Sequence, residues 1–114
     1  MCKIISEEEF HKILIRHLTQ IEGIRFSYVT GPGRSGAVAA AYTSHYLGIP
    51  FIPYGVKVPV KGNMLVVDTA AKSGKTIKKA MEKYSHHNPL GIVFFNEPPR
   101  VKFWYEKAST KKLG

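Results

Sequence analysis

Two stretches of the sequence pass from an apolar strand pattern, through a polar loop that contains glycine, into a helical pattern. The first strand, at residues 26–30, leads into the loop 31–36, and the second, at 64–68, leads into the loop 69–76. Strands that alternate with helices in this way are typical of a parallel sheet with helices on both faces. Because such sheets bind ligands at the carboxyl ends of their strands, we expect both loops on one ligand-binding rim.

The rest of the pattern completes a single α/β domain over residues 1–114, with three layers and a mainly parallel central sheet flanked by helices. The first element is predicted to be a helix, because Ser6 and Glu9 form a capping box ahead of an apolar repeat that stops at Gly23. A chain of 114 residues leaves no room for a second domain with its own core. Further helices are predicted from the loop 31–36 to Gly48 and over 77–84, with an edge strand at 49–54 and strands at 91–95 and 101–105.

The balance of charge is strongly basic. Seventeen lysines and arginines face eight acids, and a formal net charge of +9 attracts phosphorylated small molecules or nucleic acid. The single cysteine, Cys2, excludes an intrachain disulfide and is consistent with a cytoplasmic location. No apolar run approaches the roughly 20 residues that span a bilayer, and the first residues do not form a secretory signal, so we expect no membrane association.

The second loop carries residues that suit a phosphate. It leads into a helix N-terminus, where unpaired backbone N–H groups and the helix dipole favour anions, and Gly74 lets a phosphate approach the backbone. A competing interpretation is that Ser73 only caps the helix. The coincidence of glycine, hydroxyls and lysines after a strand-terminal acid favours phosphate binding. The side-chain donors are Lys72, Ser73, Lys75 and Thr76.

The two loops match two other glycine motifs, the NTPase P-loop and the dinucleotide fingerprint, less well. The NTPase P-loop requires a glycine at the position of Thr69. The three glycines of the loop 31–36 match the dinucleotide fingerprint, but residues 51–58 hold no acid for the ribose hydroxyls, and the chain is short for a dinucleotide domain. Arg34 is better interpreted as a donor that holds two oxygens of one phosphate.

Asp68 is the acid at the predicted end of the second strand. An ionised carboxylate on the ligand rim can accept hydrogen bonds from sugar hydroxyls or bind a hydrated Mg²⁺. The alternative is that Asp68 caps the following helix or orders the loop.

Residues 65–76 resemble the binding signature for phosphoribosyl pyrophosphate (PRPP) of the type I phosphoribosyltransferases. That signature is an apolar strand, two acids, a short gap and then Thr/Ser-Gly-x-Thr/Ser. Residues 33–36 resemble the pyrophosphate loop of the same family, and residues 92–99 resemble the base-side segment of its xanthine–guanine-type members. The similarity runs from about residue 26 to residue 106.

The resemblance implies Mg²⁺-dependent transfer of a phosphoribosyl group from PRPP to a nitrogenous base or related acceptor, with release of pyrophosphate. Asp68 and Arg34 would carry catalysis, and Asp68 would hold Mg²⁺ through water and, together with Thr69, the ribose. The 5-phosphate would bind Lys72, Ser73, Gly74, Lys75 and Thr76, the pyrophosphate would bind Gly33, Arg34, Ser35 and Gly36, and the acceptor would meet Asn96, Glu97 and Trp104.

The sequence also departs from the family pattern. Thr69 stands where the signature has its second acid, and Lys72 stands where purine-using members often have an acid. Glu97 stands where the base-side lysine is expected. The connection 55–63 is short for a mobile shielding loop, and the family's Trp-bearing hood is not found after Lys107. These differences leave two alternatives, an altered transferase or a non-catalytic, regulatory binder of PRPP or a nucleotide. A basic nucleic-acid-binding module is less favoured, and a homodimer is expected because small domains gain from association.

Overall fold

The computed structural model describes residues 2–58, 60–71, 73–96 and 100–106, and over these residues strands and helices alternate. A short 3₁₀ turn at Ser85–His87 separates the last α-helix from the strand that follows. In chain order the elements are β1 (Cys2–Ile5), α1 (Glu7–Thr19), β2 (Tyr28–Thr30), α2 (Gly33–Leu47), β3 (Met64–Ala71), α3 (Lys75–Lys83), β4 (Leu90–Asn96) and β5 (Arg100–Phe103).

Every strand pair among these elements is parallel, as the sequence predicts. One sheet has the order β2-β3-β4, and a second, two-stranded sheet pairs β1 with β5. After α2, Phe51 forms a parallel bridge with Val29 of β2, which agrees with the edge position predicted for residues 49–54. Because Thr30 pairs with Val66, β2 ends five positions before β3 does.

The central strand β3 separates two apolar layers. Its side chains alternate, so Leu65 and Val67 pack with α1 and α2, whereas Met64 and Val66 pack with α3. The core on the first face includes the fully buried Phe10 of α1. Helices therefore cover both faces of the sheet, and the predicted three-layer α/β architecture is confirmed.

The prediction that the chain begins with a helix is wrong, because β1 precedes α1. The Ser6 cap itself is confirmed, since its hydroxyl accepts a hydrogen bond of 3.1 Å from the Glu9 backbone N–H. The Glu9 carboxylate lies 3.1 Å from the Lys3 ammonium. β1 exists because β5 offers a parallel partner and because Ile5 is completely buried, and both of these conditions depend on residues that are far away in sequence.

Two predicted strand ends are also wrong. Strand β3 does not stop at Asp68 but continues to Ala71, because β4 runs beside it as far as Asn96 and supplies hydrogen-bond partners. Strand β5 ends at Phe103, so residues 104–106 form a turn rather than the end of a strand. Of the helices in the described ranges, none combines the length and apolar character needed to cross a bilayer.

Candidate functional site

The connection between β2 and α2 consists only of Gly31 and Pro32, because residues 33–36 of the predicted loop are already helical. Helix α2 begins at Gly33 after Pro32, no side chain caps its first turn, and that turn contains no acidic residue. The backbone N–H groups of a first helical turn have no partner within the helix, and the helix dipole makes this end partly positive. The residues Gly33 to Gly36 therefore form an anion-attracting helix end.

The glycines of this loop have a structural explanation of their own. The backbones of Gly31 and Gly36 touch, so that a Cβ added to Gly36 would lie 2.7 Å from the Gly31 carbonyl carbon. A Cβ added to Gly31 would lie 2.7 Å from the Val67 carbonyl oxygen. The first turn of α2 thus packs on Gly31, and Gly31 packs on Val67 in the middle of β3, so a dinucleotide is not needed to account for the glycine spacing.

A cavity of about 420 Å³ opens at this helix end. Arg34 is exposed, and within the described part of the chain it has no acidic partner at ion-pair distance. The Tyr105 hydroxyl donates a hydrogen bond of 3.0 Å to the Ser35 hydroxyl, across 70 residues of sequence. The cavity is lined by Pro32, Gly33, Arg34, Ser35, Tyr105 and Glu106.

The turn that carries Tyr105 is held in place by the two-stranded sheet. The Trp104 N–H donates to the Ile5 carbonyl at 3.0 Å, and the Phe103 N–H donates to the Glu106 carboxylate at 3.0 Å. The Phe103 and Tyr105 rings stack with centroids 5.7 Å apart. Strand β1, which the sequence did not reveal, therefore positions one wall of the cavity.

Asp68 and Thr69 lie beside this wall, within β3 rather than after it. Both residues are buried, and the Thr69 N–H donates to the Asp68 carboxylate at 2.8 Å. Burial raises the pKa of Asp68, and the hydrogen bond from Thr69 partly opposes that rise. Among the described residues the Thr69 N–H is the donor seen at this carboxylate, so an ionised Asp68 can accept further hydrogen bonds.

Tyr105 connects the two groups of predicted site residues. Burial has the largest effect on the pKa of Tyr105 and raises it. Hydrogen bonds with the Ser35 and Thr69 side chains lower this pKa, whereas the charges of Glu106 and Asp68 raise it. The sequence favoured Trp104 in this segment and missed Tyr105. The only signal was an aromatic run, and it could not say which ring faces the glycine loop.

The second predicted phosphate loop is built differently. Helix α3 starts at Lys75 after Gly74, and no side chain caps it, so the interpretation of Ser73 as a simple cap is wrong. Lys75 and Thr76 are exposed and line a separate cavity of about 320 Å³ together with other residues of α3. The predicted Lys72 lies outside the described residues.

The two loops follow the same edge of the sheet, and each of the two cavities described above is lined by residues of one loop. Because β3 runs five residues past the level of Thr30, the loop 73–76 begins on the order of 16 Å further along the strand direction. The structure brings Ser35, Asp68 and Thr69 close to Tyr105.

The predicted acceptor residues are likewise separated. Asn96 is exposed at the end of β4 and pairs with Ala71, so it lies beside the start of the second loop. Trp104 packs into the aromatic core, with its ring centroid 5.5 Å from that of Phe10. The predicted Glu97 lies outside the described residues.

No family model and no curated protein matches the sequence, so the similarities to known proteins come from solved structures. The xanthine-guanine-hypoxanthine phosphoribosyltransferase of Helicobacter pylori superimposes with a TM-score of 0.73 at 17% identity, over 99% of this chain and 97% of that chain. A purine phosphoribosyltransferase from Pyrococcus horikoshii matches with a TM-score of 0.72 at 14% identity, over 93% of this chain and 94% of that one.

The fold is that of the type I phosphoribosyltransferases. The resemblance that the motifs indicate is thus confirmed at the level of fold. A protein from Neisseria gonorrhoeae with bound ppGpp has the same fold, with a TM-score of 0.69 at 11% identity, over 98% of this chain and 94% of that chain.

Proposed function

We propose that this chain binds PRPP and transfers its phosphoribosyl group to a nitrogenous base or related acceptor, releasing pyrophosphate. The fold similarity to phosphoribosyltransferases extends over almost the full length of both chains, which supports the general reaction. The observation that carries the proposal is the cavity at the start of α2. An exposed arginine, a serine hydroxyl and the first-turn N–H groups of α2 meet there, and the buried carboxylate of Asp68 acts electrostatically on Tyr105 in the cavity wall.

The start of α2 suits the leaving group. In the proposed reaction the bond between the ribose anomeric carbon and a pyrophosphate oxygen breaks, and a bond from that carbon to an acceptor nitrogen forms. The electron pair of the broken bond stays on pyrophosphate, so negative charge grows there. Arg34 can donate two hydrogen bonds to it, and the first-turn N–H groups of α2 add fixed dipoles aimed at the same charge.

Asp68 suits the ribose. Its buried carboxylate receives a hydrogen bond from Thr69, and ribose hydroxyls would add donors that lower its raised pKa. The transferring ribose gains positive charge as the leaving group departs, and a nearby carboxylate stabilises such charge. Asp68 is therefore proposed as a ribose-binding residue and Arg34 as a pyrophosphate-binding residue.

The expected Mg²⁺ fits this site only as an ion that arrives with the ligand. Within the described ranges no three His, Cys, Asp or Glu side chains cluster, so these residues do not form a complete metal site. Mg²⁺ usually keeps several waters and binds one or two carboxylates together with substrate phosphates. Asp68 would hold it through water, and when bound it would supply charge neutralisation on the pyrophosphate.

The loop 73–76 is proposed to bind the 5-phosphate. Gly74 precedes α3, the first turn of α3 has no acid, and Ser73 and Thr76 keep their hydroxyls exposed. A phosphate bound there would accept hydrogen bonds from the free N–H groups of the first turn and from those hydroxyls. The neighbouring Lys75 adds positive charge.

A second candidate is a binder without turnover. The second acid of the family signature is replaced by Thr69, which lowers the negative charge near ribose and metal. The fold is shared with the Neisseria gonorrhoeae protein, whose bound molecule is ppGpp. A nucleic-acid module stays the third alternative, favoured by the exposed Lys75, Lys78 and Lys79 of α3. The dimer and the cytoplasmic location stay predictions.

Thermal unfolding with PRPP, with and without Mg²⁺, tests ligand binding beside ATP, NAD and a short DNA duplex. A ligand at a hundredfold over its dissociation constant adds about 2.7 kcal/mol of stability. We expect PRPP with Mg²⁺ to raise the midpoint and Arg34→Ala to abolish most of the rise. Arg16→Ala is the control, because it removes an equal charge from the exposed face of α1. Stabilisation by DNA alone would contradict the proposal.

A screen of nitrogenous bases for pyrophosphate release then separates transferase from binder. Turnover with any acceptor supports the transferase. PRPP binding without release across purines, pyrimidines and nicotinate-like rings would favour the regulatory alternative.

A further inference from the structure

The turn 104–106 forms a wall of the cavity that no sequence motif predicts. Tyr105 is half-buried, its hydroxyl reaches Ser35 at 3.0 Å, and the backbone of the turn is fixed by hydrogen bonds to β1 and within the turn. Both Asp68 and Glu106 act electrostatically on Tyr105. No other described tyrosine bonds to a residue of the glycine loop.

We propose that Tyr105 is a positioning residue, which orients the Ser35 hydroxyl so that it donates to the pyrophosphate end of a bound ligand. This inference rests on the proposed function, since it assigns a role within the same site.

The argument follows from the donors and acceptors of a hydroxyl group. A serine hydroxyl has one hydrogen to donate and two lone pairs to accept with. Tyr105 donates to Ser35 and so occupies a lone pair, which leaves the Ser35 hydrogen for another acceptor. Pyrophosphate oxygens only accept, so they are matched partners for that hydrogen. Without the Tyr105 hydroxyl, the Ser35 hydroxyl is free to rotate and loses this preference.

The turn is held without any ligand. The Trp104 N–H bonds to Ile5 of β1, the Glu106 N–H bonds to the Phe103 carbonyl at 2.9 Å, and the Tyr105 ring stacks on Phe103. A hydroxyl placed by packing and backbone hydrogen bonds loses little freedom when a ligand binds. Tyr105 therefore acts on the ligand through Ser35, and its own position is set by the fold.

The test is calorimetric titration of pyrophosphate and of PRPP, each with Mg²⁺, into four proteins: wild type, Tyr105→Phe, Ser35→Ala and the double variant. We expect Tyr105→Phe to weaken pyrophosphate binding about fivefold, the size of one lost hydrogen bond. Ser35→Ala, which leaves Tyr105 packed, should weaken it at least as much. In the Ser35→Ala background, removal of the Tyr105 hydroxyl should have almost no further effect, because a residue that acts through Ser35 cannot act without it.

The matched control is Tyr28→Phe. It removes a tyrosine hydroxyl that donates to the Val60 carbonyl at 3.1 Å, away from the cavity, and should leave pyrophosphate binding at the wild-type value. Unfolding midpoints of all variants are measured first. If the Tyr105→Phe variant does not fold, the Ser35→Ala variant alone tests the inference. Unchanged pyrophosphate binding in Ser35→Ala then overturns it.

The outcomes separate the two proposals. If wild-type protein binds neither pyrophosphate nor PRPP, the proposed function fails and the inference fails with it. If wild type binds both and Tyr105→Phe binds as tightly as Tyr28→Phe, only the inference fails. An equal loss from Tyr105→Phe in the wild-type and Ser35→Ala backgrounds overturns the route through Ser35.

Discussion

The two glycine loops of this protein resemble each other in sequence and differ in construction. In the loop before α2, the backbone of Gly31 packs against Gly36 and against Val67 in the middle of β3, and Tyr105 hydrogen-bonds to Ser35 across the cavity. In the loop before α3, a Cβ added to Gly74 would meet nothing within 4 Å, and no side chain caps the helix. The first loop is therefore held by close backbone packing at Gly31 and Gly36, and no such packing is seen at Gly74 of the second loop.

This difference suggests a division of labour in the proposed reaction. Charge changes most on the departing pyrophosphate, and groups that stabilise a transition state are most effective when they are fixed in advance. The 5-phosphate keeps its charge throughout, so an open, basic loop that captures it is sufficient. The closely packed loop therefore lies where the bond to pyrophosphate is proposed to break, and the open loop lies where only phosphate binding is proposed.

The largest expected effect is steric. Gly31→Ala places a Cβ against the backbone of Gly36 and Val67, where nothing flexible can move aside, and should cost about 3 kcal/mol or more of folding stability. Gly74→Ala has open space around it and a backbone φ of 79°, so it should cost only about 1 kcal/mol. Urea unfolding of both variants measures the difference. Equal losses would contradict the distinction between a packed and an open loop.

An intermediate effect concerns pH. Burial raises the pKa of Asp68 above its ordinary value of 3.8, so the folded state holds this proton more tightly than the unfolded chain. As pH rises above that value, ionisation of Asp68 lowers the stability of the free protein until both states are ionised. Asp68→Asn keeps an acceptor for the Thr69 N–H and should remove this part of the decline.

Urea midpoints from about pH 4 to about pH 8 measure that decline. Glu82→Gln, which removes the same charge from the exposed face of α3, is the control. Identical pH dependence in wild type and Asp68→Asn would show that Asp68 is not the group responsible.

The smallest expected effect compares two serines near helix starts. Ser6→Ala removes the N-cap bond to Glu9 and should cost about 1 kcal/mol. Ser73→Ala removes no cap and should leave the free energy of unfolding within about 0.5 kcal/mol of wild type, while it weakens PRPP binding. A Ser73→Ala loss as large as that of Ser6→Ala would mean that the second loop is structurally fixed after all.

Local signals account for the parts of the fold that the sequence predicted. The Ser6 cap, the end of α2 at Gly48 and the buried apolar strand starting at Met64 all depend on neighbours a few residues away. The wrong predictions concern strands whose bounds depend on a partner strand that is distant in sequence. Strand β1 requires β5, and the extension of β3 to Ala71 requires β4 beside it.

The same distinction holds for the candidate site. Gly33 to Gly36 and Asp68 could be proposed from the sequence because strand, glycine and polar residues follow one another along the chain. Tyr105 was missed because its partner Ser35 is 70 positions away and because its direction depends on where β5 ends. Trp104, one residue earlier, packs against Phe10 instead. If β5 ended one residue earlier or later, a different aromatic ring would face the glycine loop.

The most direct test of the account is a backbone amide NMR titration with pyrophosphate and, separately, with ribose 5-phosphate, both with Mg²⁺. We predict that pyrophosphate shifts the amide signals of residues 33–36 and that ribose 5-phosphate shifts those of 73–76. This result would assign the closely packed loop before α2 to the leaving group and the open loop before α3 to the retained phosphate. Pyrophosphate shifts confined to the lysine-rich face of α3, with residues 33–36 unmoved, would contradict the central claim.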